Sequence, residues 1–361
     1  MNFSTIDQKD INRLLSQLKR GDIEFYNLYN IDFSPDEYQF QEYMQNFKEG
    51  DSSLKLLNKT YYDIECLIDI KIFPDAEKAD YMVNAIAAFN NLKNKSVIFT
   101  CPYWKDPVSG KRGQCNETDK DILESQVNEL YSELCQENET YIVKDMTIEV
   151  RVFNTEIEMI KEFFLYLRKV YSLFLIGFNS SLFDDPYVVN RGLTLMGEDI
   201  YNYMSEFGEV HKFGAKTFSW PDYTKVDLLS MYKPVDAGGN GLGKSLPNYK
   251  LNTVAEVELG IHKLDLPVDQ MNDEYKNNLA RFLTYNLLDT LLTFKLDEKL
   301  QFLELNYMLA KYNTAPVSSA INGRSIMYRY RNDLIYTERN QAVRAKPFGR
   351  EIFYPIEADT K

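Results

Sequence analysis

The chain has 361 residues, and its 54 Asp and Glu side chains outnumber the 41 Lys and Arg side chains, for a formal net charge of −13. The length suffices for about two domains, and a hydrophobic fraction of 44% excludes a chain that is disordered throughout. Only two histidines exclude a multi-histidine metal site, and four cysteines without a CxxC pair argue against a disulfide framework. The acidic balance argues at first against a nucleic-acid-binding protein, which normally has a basic surface.

The first part of the chain predicts a helix, two strands and a loop. Residues 1–56 are polar and acidic, with apolar spacing at 11–18 that predicts a short helix. Strand patterns follow at 60–69 and 96–100. The stretch 101–118 is rich in Pro, Gly and Asn and predicts a loop.

The middle of the chain alternates between helix and strand patterns. Between residues 115 and 165 there are 13 acidic and 4 basic residues. We predict a solvated helix at 120–138, a strand at 146–153, a helix at 155–170 and a buried strand at 174–178. This alternation indicates an α/β fold, with a mixed sheet and helices on its faces.

Three features follow in the last third of the chain. Residues 235–248 contain four glycines and predict a flexible loop, not a phosphate cradle, because no strand and helix flank them in the required way. A helix capped by Asn252 ends at Gly260, and a long helix runs from about 273 to 305. Residues 306–350 carry eight basic and two acidic side chains among aromatic ones, which suits phosphate contact and base stacking or, equally, an exposed or partner-binding segment.

Several carboxylates have spacings that suit chemistry. Asp63 and Glu65 are two apart in a predicted strand and therefore share one face, where they repel unless a cation lies between them. Asp184 follows a buried strand, the place where open α/β sheets bind ligands. Tyr285 and Asp289 lie side by side if their segment is helical. Each feature alone is weak, because a solvated pair, a helix start and a polar helix face are common.

Taken in order, D-x-E, N-x3-F-D and Y-x3-D resemble the three motifs of the DEDDy proofreading exonucleases. More closely, these motifs resemble those of the exonuclease domain of family B DNA polymerases, especially the polymerases of T-even-like phages. The flanking stretches that also resemble this family are 62–66, 73–81, 176–191 and 249–260.

The resemblance implies an RNase H-like mixed sheet with flanking helices and small segments at both ends of the chain. We expect a short N-terminal region at 1–56 and the exonuclease domain at 57–305. We expect a basic, aromatic-rich segment at 306–361 that leads towards a palm domain.

The resemblance also assigns roles to the site residues. It implies that Asp63, Glu65, Asp184 and Asp289 bind metal and that Tyr285 orients the attacking water. Four carboxylates without histidine form a hard, oxygen-rich site, which suits two Mg²⁺ or Mn²⁺ ions.

By the same resemblance, Asn179 and Phe183 hold the frayed 3′ end of a single strand. We expect Asp69, Asp185 and Asp227 to be structural. A DEDDh enzyme has a histidine five residues before its last Asp. This chain instead has Tyr285, four residues before Asp289.

The expected function is therefore metal-dependent 3′→5′ DNA exonuclease activity, used for proofreading in a family B replicative polymerase. The palm motifs D-x-x-S-L-Y-P-S and D-T-D do not occur in the sequence. We expect either a subunit of a split polymerase, with a palm-containing partner, or a truncated polymerase chain. The alternatives are a self-standing DEDDy exonuclease acting on single-stranded DNA or RNA, and a non-catalytic scaffold. With no transmembrane or signal pattern, we expect a cytoplasmic protein, in the host cell if it is viral.

Overall fold

The computed structural model describes most of the chain between residues 57 and 322. The described residues are 57–67, 73–106, 109–206, 208, 210–212, 218–219, 222–239, 241–261, 266–267, 269–312 and 317–322. Those up to Leu305 belong to one compact unit. The predicted helix at 11–18, the residue Asp69 and most of the basic segment 306–361 lie outside the described residues, so the domain boundaries at 56 and 305 stay predictions.

The strands of this unit are β1 (Lys59–Cys66), β2 (Val83–Asn90), β3 (Lys95–Thr100), β4 (Tyr103–Lys105), β5 (Arg112–Gln114), β6 (Thr147–Val152), β7 (Phe174–Gly177), β8 (His211–Lys212), β9 (Phe218–Ser219) and β10 (Thr224–Asp227). Six of them form a mixed sheet at the centre of the unit, in the order β10-β7-β1-β2-β3-β6. Strand β1 pairs in parallel with β7 and antiparallel with β2, which is also antiparallel to β3. The pairs β7–β10 and β3–β6 are parallel, and β4–β5 and β8–β9 form separate two-stranded ribbons.

Helices cover both faces of the sheet. The helices are α1 (Lys120–Glu137), α2 (Glu156–Val170), α3 (Asp184–Met196), α4 (Tyr201–Met204), α5 (Leu228–Tyr232), α6 (Leu251–Leu259), α7 (Met271–Asn277), α8 (Leu279–Leu300), α9 (Phe302–Tyr312) and α10 (Val317–Asn322). Tyr61 of β1 contacts Phe294 of α8, with ring centroids 5.2 Å apart, whereas the next residue, Tyr62, contacts Phe163 of α2 at 5.8 Å. Alternate β1 residues therefore face α8 on one side and α2 on the other.

This arrangement confirms the predicted α/β class, with a mixed sheet between flanking helices. The predicted helices at 120–138 and 155–170 and the strands at 146–153 and 174–178 are present within one residue of their expected ends. None of the helices in the described part of the chain has both the length and the apolar character needed to cross a membrane.

Four predictions of local structure were wrong. The helix that Asn252 was expected to cap begins at Leu251, so Asn252 lies inside its first turn and Lys250 occupies the N-cap position without a side-chain hydrogen bond. The helix expected from 273 to 305 is divided at Asn278 and Gln301, and Gln301 has a left-handed backbone with φ of 52°. The loop expected at 101–118 contains the β4–β5 ribbon. The loop expected to be flexible is packed, because a Cβ atom added to Gly241 would lie 2.2 Å from the Met231 carbonyl oxygen. Its glycines allow close approach to the end of α5.

Candidate active site

Three predicted metal ligands come together between β1 and α8. Asp63 and Glu65 lie on the face of β1 that is turned towards α8, because they follow Tyr61 at two-residue intervals. Asp289 projects from α8 and is buried. One carboxylate oxygen from each of the three residues lies within 4.8 Å of the others.

The Asp63 side chain is held by Asn286 of α8. The Nδ2 atom of Asn286 donates to Asp63 Oδ2 at 2.8 Å and lies 3.3 Å from the Asp63 carbonyl oxygen. Sequence reasoning gave Asn286 no role, although it lies between Tyr285 and Asp289. The sequence does contain a signal, which is an amide side chain within an apolar stretch of helix next to Leu287. In the structure Asn286 is fully buried, and a buried amide normally has a hydrogen-bond partner.

Asp184 approaches the same strand from the start of α3. It is buried, and its Oδ1 accepts a hydrogen bond from the backbone N–H of Ile64 at 3.3 Å. Burial and the negative charge of Asp185 raise the pKa of Asp184 to about 8. Asp184 is not in the group of three carboxylates that lie within 4.8 Å of one another. The structure therefore groups three of the four predicted ligands and places the fourth against the backbone between Asp63 and Glu65.

Asp185 and Asp227 are both held by hydrogen bonds within the protein, and Asp185 also by an ion pair, as structural residues are. Asp185 accepts a hydrogen bond from the Tyr62 hydroxyl and lies 3.4 Å from the Lys225 ammonium. Asp227 accepts from the Asn179 N–H at 2.9 Å and caps α5 through the Leu229 N–H at 3.0 Å. Asp227 thus fixes the loop between β7 and α3 that leads to Asp184.

An aromatic pair lies at the predicted substrate-binding residues. Asn179 has a left-handed backbone with φ of 64°, and its carbonyl accepts from the Phe183 N–H at 3.2 Å. The Phe183 ring lies 5.6 Å from Phe73 and 5.2 Å from Tyr187, measured between centroids. Phe73 is 71% exposed, which is unusual for a large apolar side chain. Sequence reasoning gave it no role, because only the exposure and the contact with Phe183 distinguish it.

Tyr285 is half-buried and lies one helical turn before Asp289 on α8. The spacing of four residues places both side chains on the same face of the helix. The helix thus presents Tyr285 on the side from which Asp289 joins Asp63 and Glu65.

The donor set of this site fits a divalent cation. Three carboxylates whose oxygens lie within 4.8 Å repel one another, and a divalent ion removes that repulsion. The group contains only oxygen donors, which are the ligands that hard ions such as Mg²⁺ and Mn²⁺ prefer. Zinc sites, in contrast, are usually built from cysteine and histidine side chains. The site could therefore hold a metal ion of the predicted kind.

A mixed six-stranded sheet between helices, with carboxylates of its central strand facing a helix, is the arrangement expected for an RNase H-like exonuclease fold. The family model for DNA polymerase family B, exonuclease domain, matches residues 22–254, which is more than half of the chain. The chain belongs to this family. The predicted resemblance to this family is thereby confirmed. Tyr285 and Asp289 lie beyond the residues that the family model matches.

The similar proteins are viral DNA polymerases. The DNA-directed DNA polymerase of Enterobacteria phage T4 is 25% identical over 260 residues, covering 69% of this chain and 26% of the relative. That of Escherichia phage RB69 is 22% identical over 298 residues, covering 79% of this chain and 30% of the relative. The DNA polymerase of Orgyia pseudotsugata multicapsid polyhedrosis virus is 29% identical over 182 residues, covering 47% of this chain and 17% of the relative. The matched part spans less than a third of the length of these relatives.

Proposed function

We propose that the chain is a metal-dependent 3′→5′ DNA exonuclease that proofreads for a family B replicative DNA polymerase. The observation that carries this proposal is the group formed by Asp63, Glu65 and Asp289, with carboxylate oxygens within 4.8 Å of one another. Membership of the exonuclease-domain family supports the reaction class.

Asp63, Glu65 and Asp289 would hold two Mg²⁺ or Mn²⁺ ions together with Asp184. Two such ions, when bound, supply Lewis acidity and an activated water for phosphodiester hydrolysis. The raised pKa of Asp184 supports this assignment, because a buried carboxyl group that resists ionisation gains most from a nearby cation. Asn286 keeps Asp63 in one orientation, so this carboxylate needs little reorganisation when it binds an ion.

Tyr285 would orient the attacking water through its hydroxyl group. Its position one turn before Asp289 puts the phenol on the same face of α8 as that carboxylate. A phenol hydroxyl can both donate and accept a hydrogen bond, which suits the orientation of a water molecule.

Phe73 and Phe183 would bind the terminal bases of a single strand by stacking, with Asn179 beside them. Their rings are close enough to form one surface, and the exposure of Phe73 leaves that surface open to a ligand. Stacking tolerates every base, which suits an enzyme that must remove whichever nucleotide is mispaired.

The test is degradation of a labelled single strand by the Asp63→Ala, Glu65→Ala double variant. We expect the variant to lose Mg²⁺-dependent degradation while remaining folded and able to bind DNA. The control is Glu129→Ala with Glu133→Ala, because both residues are exposed on α1. This variant also loses two negative charges, but outside the site. Full activity of the Asp63, Glu65 variant would refute the site assignment.

A proofreading role also needs a polymerase active site with a palm domain, on the same polypeptide or on a partner. The similarity of the chain to viral DNA polymerases supports this part of the proposal. Side-by-side degradation of single-stranded DNA and RNA separates this role from that of a self-standing nuclease on RNA. We expect DNA to be preferred, and we propose that the protein acts in the cytoplasm of a virus-infected cell.

A further inference from the structure

The β4–β5 ribbon presents one polar, exposed face. Its register pairs Tyr103 with Gln114 and Lys105 with Arg112, and these four side chains alternate with Trp104 and Gly113. All four are exposed. Because residues two apart in a strand share a face, they form a single surface, which we call the ribbon face.

The ribbon face is positively charged in a strongly acidic chain. Lys105 and Arg112 are direct cross-strand neighbours, and like charges in that position repel. The ion pairs formed among the described residues all use other cations. Two cations that lie opposite each other and form no ion pair among the described residues favour binding of an anion with two negative groups, such as neighbouring phosphates of one strand.

The opposite face of the ribbon is fixed to the protein. Lys276 of α7 lies 4.5 Å from the centre of the Trp104 ring, and a Cβ atom added to Gly113 would lie 2.4 Å from that ring. At the base of the ribbon, Tyr275 of α7 donates its hydroxyl hydrogen to the Cys101 carbonyl at 2.5 Å. The ribbon face is therefore held on a packed support.

The ribbon begins at the same end of the sheet as the carboxylates, where β1 and β3 both finish. Glu65 pairs with Ala85, and Ala85 pairs with Thr100. Two strand spacings of about 4.8 Å place the Thr100 Cα about 10 Å from that of Glu65. Strand β4 starts three residues after Thr100, and a cavity of about 870 Å³ adjoins it, lined in part by Tyr103, Lys105 and Arg112.

We propose that the ribbon face binds the single-stranded DNA that leads to the carboxylate site. Lys105 and Arg112 contact two backbone phosphates, and the exposed ring of Tyr103 stacks on a base. This inference rests on the proposed exonuclease function and specifies how the substrate is held beyond its terminal nucleotides. It also explains how a chain of net charge −13 can bind DNA, since a local pair of cations suffices for local phosphate contact.

The test is the salt dependence of binding to a fluorescent single strand of about 20 nucleotides, measured by anisotropy in EDTA so that no cleavage occurs. Each phosphate contact contributes about 0.7 to the slope of log affinity against log salt for single strands. We expect Lys105→Ala with Arg112→Ala to flatten this slope by about 1.4. If affinities converge near 1 M salt, the variant binds about 25-fold more weakly at about 0.1 M.

Two comparisons make the result specific. Lys93→Ala with Lys144→Ala removes two exposed lysines at the other end of the sheet from the ribbon, in the β2–β3 turn and just before β6. We expect this variant to keep the wild-type slope. Lys105→Arg with Arg112→Lys keeps both charges and should also retain the slope. An unchanged slope and affinity in the alanine variant would overturn the proposal. Wild-type chain that binds DNA but never degrades it with Mg²⁺ would instead refute the proposed function.

Discussion

Replacement of Lys59 by Met should destabilise the protein strongly. Lys59 Nζ lies 2.9 Å from Asp297 Oδ2 and also contacts Glu304, and the lysine and aspartate side chains are only 6% and 1% exposed. The Tyr61 hydroxyl donates to the same Asp297 oxygen at 2.6 Å. Although burial alone would lower it, the two carboxylates raise the pKa of Lys59. The ammonium group is therefore charged and compensates two buried anions.

Without Lys59, those two carboxylates remain buried without their cation. Breaking a buried ion pair by removing one partner costs about 3–5 kcal/mol, and we expect a loss in this range for Lys59→Met. Lys295→Met is the matched control, because its pair with Glu298 is at 3.4 Å and Glu298 is 53% exposed. A pair of this kind contributes at most about 1 kcal/mol.

The loss should depend on pH in a defined direction. Burial and the charge of Asp297 raise the pKa of Glu304 even with Lys59 present, and removal of the lysine raises it further. A carboxyl group that is more basic in the folded state binds more protons there than in the unfolded state, so stability falls as pH rises. We expect Lys59→Met to lose more stability at about pH 8 than at about pH 5.

Urea unfolding followed by circular dichroism measures both effects. The free energy of unfolding of Lys59→Met, Lys295→Met and the wild-type protein should be compared at the two pH values. A loss for Lys59→Met below about 1 kcal/mol, equal at both pH values, would refute the view that the buried cluster depends on its lysine.

Three further substitutions test the site and its surroundings. Asn286→Leu should weaken Mn²⁺ binding by about 10- to 100-fold in a calorimetric titration, because Asp63 loses its hydrogen-bond donor; unchanged affinity would contradict this role. Phe73→Ala should raise KM for single-stranded DNA by about 5- to 100-fold with a smaller effect on kcat, and an effect on kcat alone would argue against stacking. Gly113→Ala should cost about 1–3 kcal/mol in urea unfolding, since its Cβ would lie 2.4 Å from the Trp104 ring; wild-type stability would show that the ribbon adapts freely.

The sequence carried enough information for the architecture but not for every strand. Helix α2 was predictable because its buried positions repeat with helical spacing and Thr155 caps its start. Strand β2 was missed because all eight of its residues are buried, so no polar alternation marks it, and small alanines replace the usual branched side chains. The break between α8 and α9 was missed because apolar spacing continues through Gln301, where only the backbone reveals the end of the helix.

For the site, the sequence predicted which side chains could act and the fold supplied their neighbours. Alternation along β1 was enough to place Asp63 and Glu65 on one face. Nothing in the spacing could show that Asn286 holds Asp63, or that Phe73 contacts Phe183, because both contacts join residues far apart in the chain. Such contacts depend on the packing of α8 and of the segment after β1, which local patterns do not determine.

The most direct test of the proposed exonuclease activity is product analysis with a single-stranded oligonucleotide labelled at its 3′ end. We expect the wild-type chain to release labelled mononucleotide in Mg²⁺ and none in EDTA. Asp289→Asn keeps the shape of the side chain but removes its charge, and we expect this variant to release almost none. Release by Asp289→Asn at the wild-type rate, or wild-type activity that is independent of a divalent metal, would refute the proposed metal-dependent site.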